Sequence, residues 1–138
     1  MTARKNMNTL FSSDEDYLEA IRVLIGKNGK ARSSEAAEYL GVTRPSVCRA
    51  VRILTEGGYL VMDEDFSLHL TRMGREIADR TYEKHCFFKQ MLIDAGVDFT
   101  KADQEACEME HSISEDSFEK LRQAKKRSAE KAAFIDNS

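Results

Sequence analysis

Three short stretches carry side chains that could do chemistry together. EACEMEHSIS, residues 105–114, holds Cys107, Glu110 and His111. On a helix, positions i, i+3 and i+4 share one face, so a thiolate, a carboxylate and an imidazole would converge there. That donor set suits a transition metal. Asp16 and Glu19 stand one helical turn apart in an earlier segment, and His85 lies in the apolar face of a later one. Taken singly, each has a plainer explanation. Asp16 can complete a capping box with Ser13, Glu19 can face water, His85 can be a satisfied core histidine, and Cys107 can be packing. Taken together, three segments offering ligands of compatible chemistry are hard to produce by accident. Carboxylates with imidazoles suit Mn(II) or Fe(II), and the thiolate pulls toward Fe(II), Co(II) or Zn(II).

The elements that must position these groups are mostly helices. Tyr17, Leu18, Ile21, Leu24 and Ile25 recur at helical spacing, which predicts a first helix from about Asp14 to Lys27. Ser33-Ser34 starts a short second helix that stops at Gly41. Thr43 caps a third, with Pro45 in its first turn, where the missing N–H costs nothing. Val47, Val51 and Leu54 are its buried stripe, and Gly57-Gly58 ends it. Residues 59–62 and 67–70 are strand-like and flank an acidic tip, Asp63-Glu64-Asp65. Thr71 caps a long fourth helix with Ile77, Thr81, His85, Phe88 and Leu92 on one face. Thr100 with Asp103 predicts the cap of a fifth helix, which carries Cys107, Glu110 and His111, and Ser114 starts a sixth.

Two helices joined by a tight glycine turn, followed by a hairpin, form a winged helix-turn-helix. The expected fold is therefore mainly α, with a winged helix-turn-helix DNA-binding domain over residues 1–72 and a helical domain over 73–138. Arg44, Arg49 and Arg52 lie on the third helix away from its apolar stripe. Ser46 and Cys48 sit in its first turns beside Pro45, where base edges are usually reached. Arginine can grip guanine bidentately or neutralise a phosphate. Three arginines alone could be a solvated face; helix-turn-helix spacing, the proline and the hairpin together favour DNA.

Composition narrows the classes. The formal net charge of −3 excludes a histone-like polycation but leaves room for a local basic patch. No apolar run approaches the roughly 18 residues that a membrane helix needs. MTARKNMNTLF lacks the apolar centre of a signal peptide. Three cysteines without disulfide-like spacing fit a reducing compartment, so a cytoplasmic protein without membrane attachment is expected.

DEDYLEAI, LGVTRPSVCRAVRIL, LTRMGREIADRTYEKHCFF and EACEMEHSISEDSFEKL resemble the diphtheria toxin repressor and manganese transport regulator family, over about Ser13 to Leu121. MEHSIS and YEKHCFF are the most specific stretches. The resemblance implies a homodimeric, metal-activated repressor that binds a palindromic double-stranded operator. It implies a helical metal-binding and dimerisation domain after the winged helix, in the short form without an SH3-like domain. It makes Asp16, Glu19, His85, Glu110 and His111 ligands, with Cys107 at a position that holds glutamate or cysteine among family members. Asp16 follows the manganese type, where the iron type has methionine, so Mn(II) and Fe(II) are the first-choice metals and Co(II) or Zn(II) the next. Ser67 stands where the wing usually has glycine. His69 and Cys86 match no family ligand and are read as structural. Two other classes compete. One is a winged-helix regulator not gated by metal. The other is a metalloenzyme, disfavoured because no nucleophile–base pair and no phosphate-binding glycine loop is present.

Overall fold

The computed structural model describes residues 12–136; the segment 1–11, read above as lacking a signal peptide, and the last two residues lie outside the described residues. The elements run α1 (Ser12–Asn28), α2 (Ser33–Leu40), α3 (Arg44–Glu56), β1 (Leu60–Met62), β2 (Leu68–Leu70), α4 (Arg72–Asp94), α5 (Phe99–Glu110) and α6 (Glu115–Asp136). Two compact units divide inside α4, between Glu83 and Lys84.

The first unit buries the stripes that periodicity predicts. Leu18, Ile21 and Leu24 of α1, Val47, Val51 and Leu54 of α3, and Ala78 of α4 share one core with Leu60 and Leu68 of the hairpin. The turn between α2 and α3 is set by two residues. Gly41 adopts φ 70°, a left-handed conformation that costs glycine little, and Val42 N–H returns to the Ala37 carbonyl at 3.0 Å. Thr43 then accepts from Ser46 N–H at 3.2 Å and starts α3 as its spacing predicts.

β1 and β2 pair antiparallel, with Leu60 opposite Leu70, Val61 opposite His69 and Met62 opposite Leu68. Each strand starts one residue later than its sequence pattern suggests. At the tip, Phe66 N–H donates to the Asp63 carbonyl and Asp63 N–H to the Ser67 carbonyl, both at 3.0 Å. The tip thus takes a left-handed residue at Phe66, φ 67°, one position before Ser67, the place where the family resemblance implies a glycine. Ser67 is instead buried, and its N–H donates to Asp63 Oδ1 at 3.0 Å. His69 Nε2 lies 2.6 Å from Asp63 Oδ2, so His69 serves the wing, as read. The Asp65 and His69 side chains, followed by the backbone N–H groups of Ser67 and Asp65, hold the Asp63 carboxyl well below the usual carboxylate range.

The hairpin is fastened to the start of α4. Thr71 donates its hydroxyl to the Gly58 carbonyl at 2.6 Å and accepts from Gly74 N–H at 3.1 Å, so it caps α4 as expected. Gly74 has no alternative here, because a Cβ would overlap the Tyr59 carbonyl.

The second unit is built on aromatic packing. Phe88 of α4, Ala106 of α5 and Phe118 of α6 are buried together, with Phe87, Met109 and Ile113 against them. Phe87 meets both Phe88 and Phe118 edge-on, with ring centroids 5.3 Å apart in each case, a favoured aromatic geometry. Lys84 pairs with Glu115 beside this cluster, tying the start of α6 to α4.

Candidate metal centre and DNA-reading helix

α5 ends at Glu110, and His111 is its C-cap with φ −91° and ψ −9°. That near-helical backbone keeps the i, i+3, i+4 relation across the helix end. Cys107, Glu110 and His111 consequently offer ligand atoms that lie within 4.8 Å of one another. His85 joins them from α4. Its Nδ1 lies 3.4 Å from Glu110 Oε2, and His111 Nε2 lies 3.4 Å from Glu110 Oε1. The Glu110 side chain is fully buried, while His85 and His111 are 16% and 13% exposed.

Burying a carboxylate costs several kcal/mol unless a positive charge compensates it. Here that carboxylate stands between two imidazoles and beside a half-buried thiol. Nitrogen, sulfur and one hard oxygen donor suit a divalent transition ion, whereas Ca(II) and Mg(II) call for oxygen-rich sites. The residues present therefore fit the metal that the sequence implies. Asp16 and Glu19, the two other sequence candidates, are half-buried on α1 of the first unit, one turn apart.

Two residues of this neighbourhood escaped the sequence reading. Asp103 was assigned to the α5 cap with Thr100. In the structure the cap is Asp98, whose Oδ2 accepts from Lys101 N–H at 3.2 Å, and α5 starts at Phe99. The earlier start puts Asp103 in the second turn. There its Oδ1 accepts from His85 Nε2 at 2.9 Å, and Lys89 Nζ lies 3.2 Å from the same oxygen. Burial pushes the Asp103 carboxyl up, but the hydrogen bonds from His85 and Lys89 prevail and hold it below the usual range. Spacing could have pointed to both residues. Lys89 follows His85 by one turn on α4, and Asp103 precedes Cys107 by one turn on α5.

On α3 the functional candidates face outward. Arg44, Pro45, Ser46, Cys48, Arg49 and Arg52 are all exposed, and Val47, Ala50, Val51 and Leu54 are buried beneath them. Ser46 also receives the Thr43 hydroxyl hydrogen bond at 2.9 Å, so its side chain is shared with the cap. Cys48 and Cys86 are exposed and Cys107 is half-buried, and none of the three is in a disulfide. Among the described residues no helix is long and apolar enough to cross a membrane.

Two stretches of the chain match known family models. Residues 9–67 match the iron dependent repressor N-terminal DNA binding domain, and residues 71–129 match the iron dependent repressor metal binding and dimerisation domain. The chain is similar to the HTH-type transcriptional regulator MntR of Lysinibacillus sphaericus (strain C3-41). The two are 35% identical over 109 residues, which are 79% of this chain and 78% of that protein. It is also similar to the solved structure of the metal-dependent transcriptional regulator MtsR, with TM-score 0.74 and 26% identity over 80% of this chain and 52% of that one. The manganese regulator SloR gives TM-score 0.72 and 27% identity over 80% and 52%. The chain spans about half the length of these two solved chains.

Proposed function

The chain belongs to the iron-dependent repressor family, and we propose that it is a metal-activated DNA-binding repressor of metal-homeostasis genes. In this reading Mn(II) or Fe(II) stabilises its DNA-competent form. His85, Cys107, Glu110 and His111 are the ligands from α4 and α5, and Asp16 and Glu19 are proposed as the ligands from α1. The protein works as a cytoplasmic homodimer on a palindromic double-stranded operator. The observation that carries the reading is the buried Glu110 carboxylate between the His85 and His111 imidazoles.

A bound divalent cation would supply the positive charge that this carboxylate and the Cys107 thiolate call for. The rest is done by the chain. Glu110 and His111 end α5, so ligation there fixes the helix end. Asp16 and Glu19 would extend the same ligand set to the helix that leads into α2 and α3. Without a cation, carboxylates brought to one site would repel and favour other arrangements; with them ligated, one arrangement would be selected. In a dimer that arrangement sets the two α3 helices about one DNA turn, ~34 Å, apart. Arg44, Arg49 and Arg52 then meet phosphates and base edges, with Ser46 and Cys48 near the helix start. A ~100-fold rise in operator affinity needs only about 2.7 kcal/mol of preference for the competent form.

The test is operator binding by chelator-stripped, reduced protein, alone and with Mn(II), Fe(II), Co(II) or Zn(II). Binding should be weak without metal and restored best by Mn(II) or Fe(II). Equal binding with and without chelator would replace the reading with a winged-helix regulator not gated by metal.

A further inference from the structure

His85 makes different contacts at its two ring nitrogens. Nδ1 faces Glu110 at 3.4 Å, and Nε2 faces Asp103 at 2.9 Å. An ionised carboxylate only accepts hydrogen bonds, so the proton between His85 and Asp103 sits on Nε2. A neutral imidazole with that proton has its lone pair on Nδ1. We propose that Asp103, held in place by Lys89, is a positioning residue that orients His85 and fixes its tautomer, so that Nδ1 is the metal-binding atom. The proposal rests on the metal-site reading above and deepens it. Histidine ligands of metals commonly donate their other N–H to a carboxylate, which sets ring orientation and raises ligand basicity.

Lys89 explains why Asp103 stays where it is. Its ammonium lies 3.2 Å from the oxygen that His85 uses and 3.9 Å above the centre of the Phe99 ring. One face of the charge is satisfied by the carboxylate and another by the aromatic quadrupole. Lys89 is only 24% exposed, against 49% for Asp103. The pair thus ties α4 to the first two turns of α5, at the end of the helix remote from Glu110. Asp103 is not itself a ligand to the ion that Nδ1 takes, because it serves the opposite side of the ring. Were the lysine only a surface ion pair, its loss would change little.

The test follows the His85 ring nitrogens by nitrogen-15 correlation spectra of the full chain loaded with diamagnetic Zn(II), where a cation rather than a proton occupies the Glu110 side of the ring, and measures Mn(II) binding by calorimetry. Wild type should show the Nε2–H tautomer at His85. Asp103→Ala should mix the two tautomers and weaken Mn(II) binding by roughly 10- to 100-fold, the usual size of such outer-shell effects. Asp103→Asn keeps a carbonyl acceptor and should restore the tautomer and most of the affinity. Lys89→Met should give a smaller loss in the same direction. If Asp103→Ala left the tautomer and the Mn(II) affinity unchanged, or if Asn failed as badly as Ala in a folded protein, the positioning role would be overturned. Failure of wild type to bind any of the four metals would instead overturn the metal-site reading, and the positioning role with it.

Discussion

The start of α3 and the end of α5 handle their functional side chains in opposite ways. α3 keeps Arg44, Arg49 and Arg52 in water and is held by an apolar stripe beneath them. Its arginines add little to the fold: Arg52 makes one exposed ion pair with Glu56 one turn on, at 3.9 Å, of the kind that contributes little. α5 ends on a carboxylate that is fully buried, with imidazoles on either side. In the metal-site reading proposed above, function and stability act there on the same atoms. A DNA-reading surface must meet a large partner from outside, so its groups stay solvated until contact. A metal centre must enclose its ligand, so its groups are desolvated in advance and oppose folding until the ion arrives.

The sharpest way to break this contrast is Glu110→Gln. The amide keeps the shape and removes the charge. Metal-dependent operator binding should be abolished, while the metal-free protein should melt no lower than wild type, since a buried charge has gone. Thermal melts with and without Mn(II) read both. A large loss of metal-free stability would mean that the carboxylate is structural and the contrast false.

Gly74→Ala tests the other side, a residue that matters to the fold alone. The new Cβ would meet the Tyr59 carbonyl, where backbone rather than a flexible side chain must move. Overpacking of this kind should cost about 3 kcal/mol in a urea titration. The His85–Glu110 cluster belongs to the other unit, so Mn(II) affinity of the folded protein should be unchanged.

Arg49→Ala should do the converse to α3. An exposed arginine that contacts a base or phosphate is worth about 1–3 kcal/mol of DNA binding, seen as a tenfold or greater loss in a titration at fixed salt. Stability should move by no more than about 0.5 kcal/mol, as for other exposed substitutions. Equal losses in affinity and stability would show that α3 is not a free surface.

The same contrast explains what could be read from the sequence. Caps and stripes are local, and Thr43 with Pro45, Thr71, and the Val47–Val51–Leu54 face stand where spacing placed them. Cys107, Glu110 and His111 were legible for the same reason, because one helix end holds all three. Asp103 was misassigned because its T-x-x-D pattern is also local, while its true partners, His85 and Lys89, lie on another helix. The observed cap, Asp98, lies two residues before Thr100, and the packed helix fixes that start. Asp16 and Glu19 lie one turn apart on α1, as periodicity required.

The smallest effect is expected at the wing, where the local rules were bent by one residue. Phe66 holds a left-handed backbone with its side chain 68% exposed, so it has strain and little burial to offset it. A bulky residue in that conformation costs about 1–2 kcal/mol. Phe66→Gly removes the strain but adds unfolded-state freedom worth roughly 0.5–1 kcal/mol. The difference favours glycine slightly, and the hairpin register set by Leu60 and Leu68 should persist. Phe66→Ala keeps the Cβ and the strain, so it should gain nothing. Urea midpoints of the two variants therefore order as Gly above Ala. The reverse order would mean that the Phe66 ring holds the tip through packing, and that this exposed end of the molecule, like Glu110, couples what it presents to how it folds.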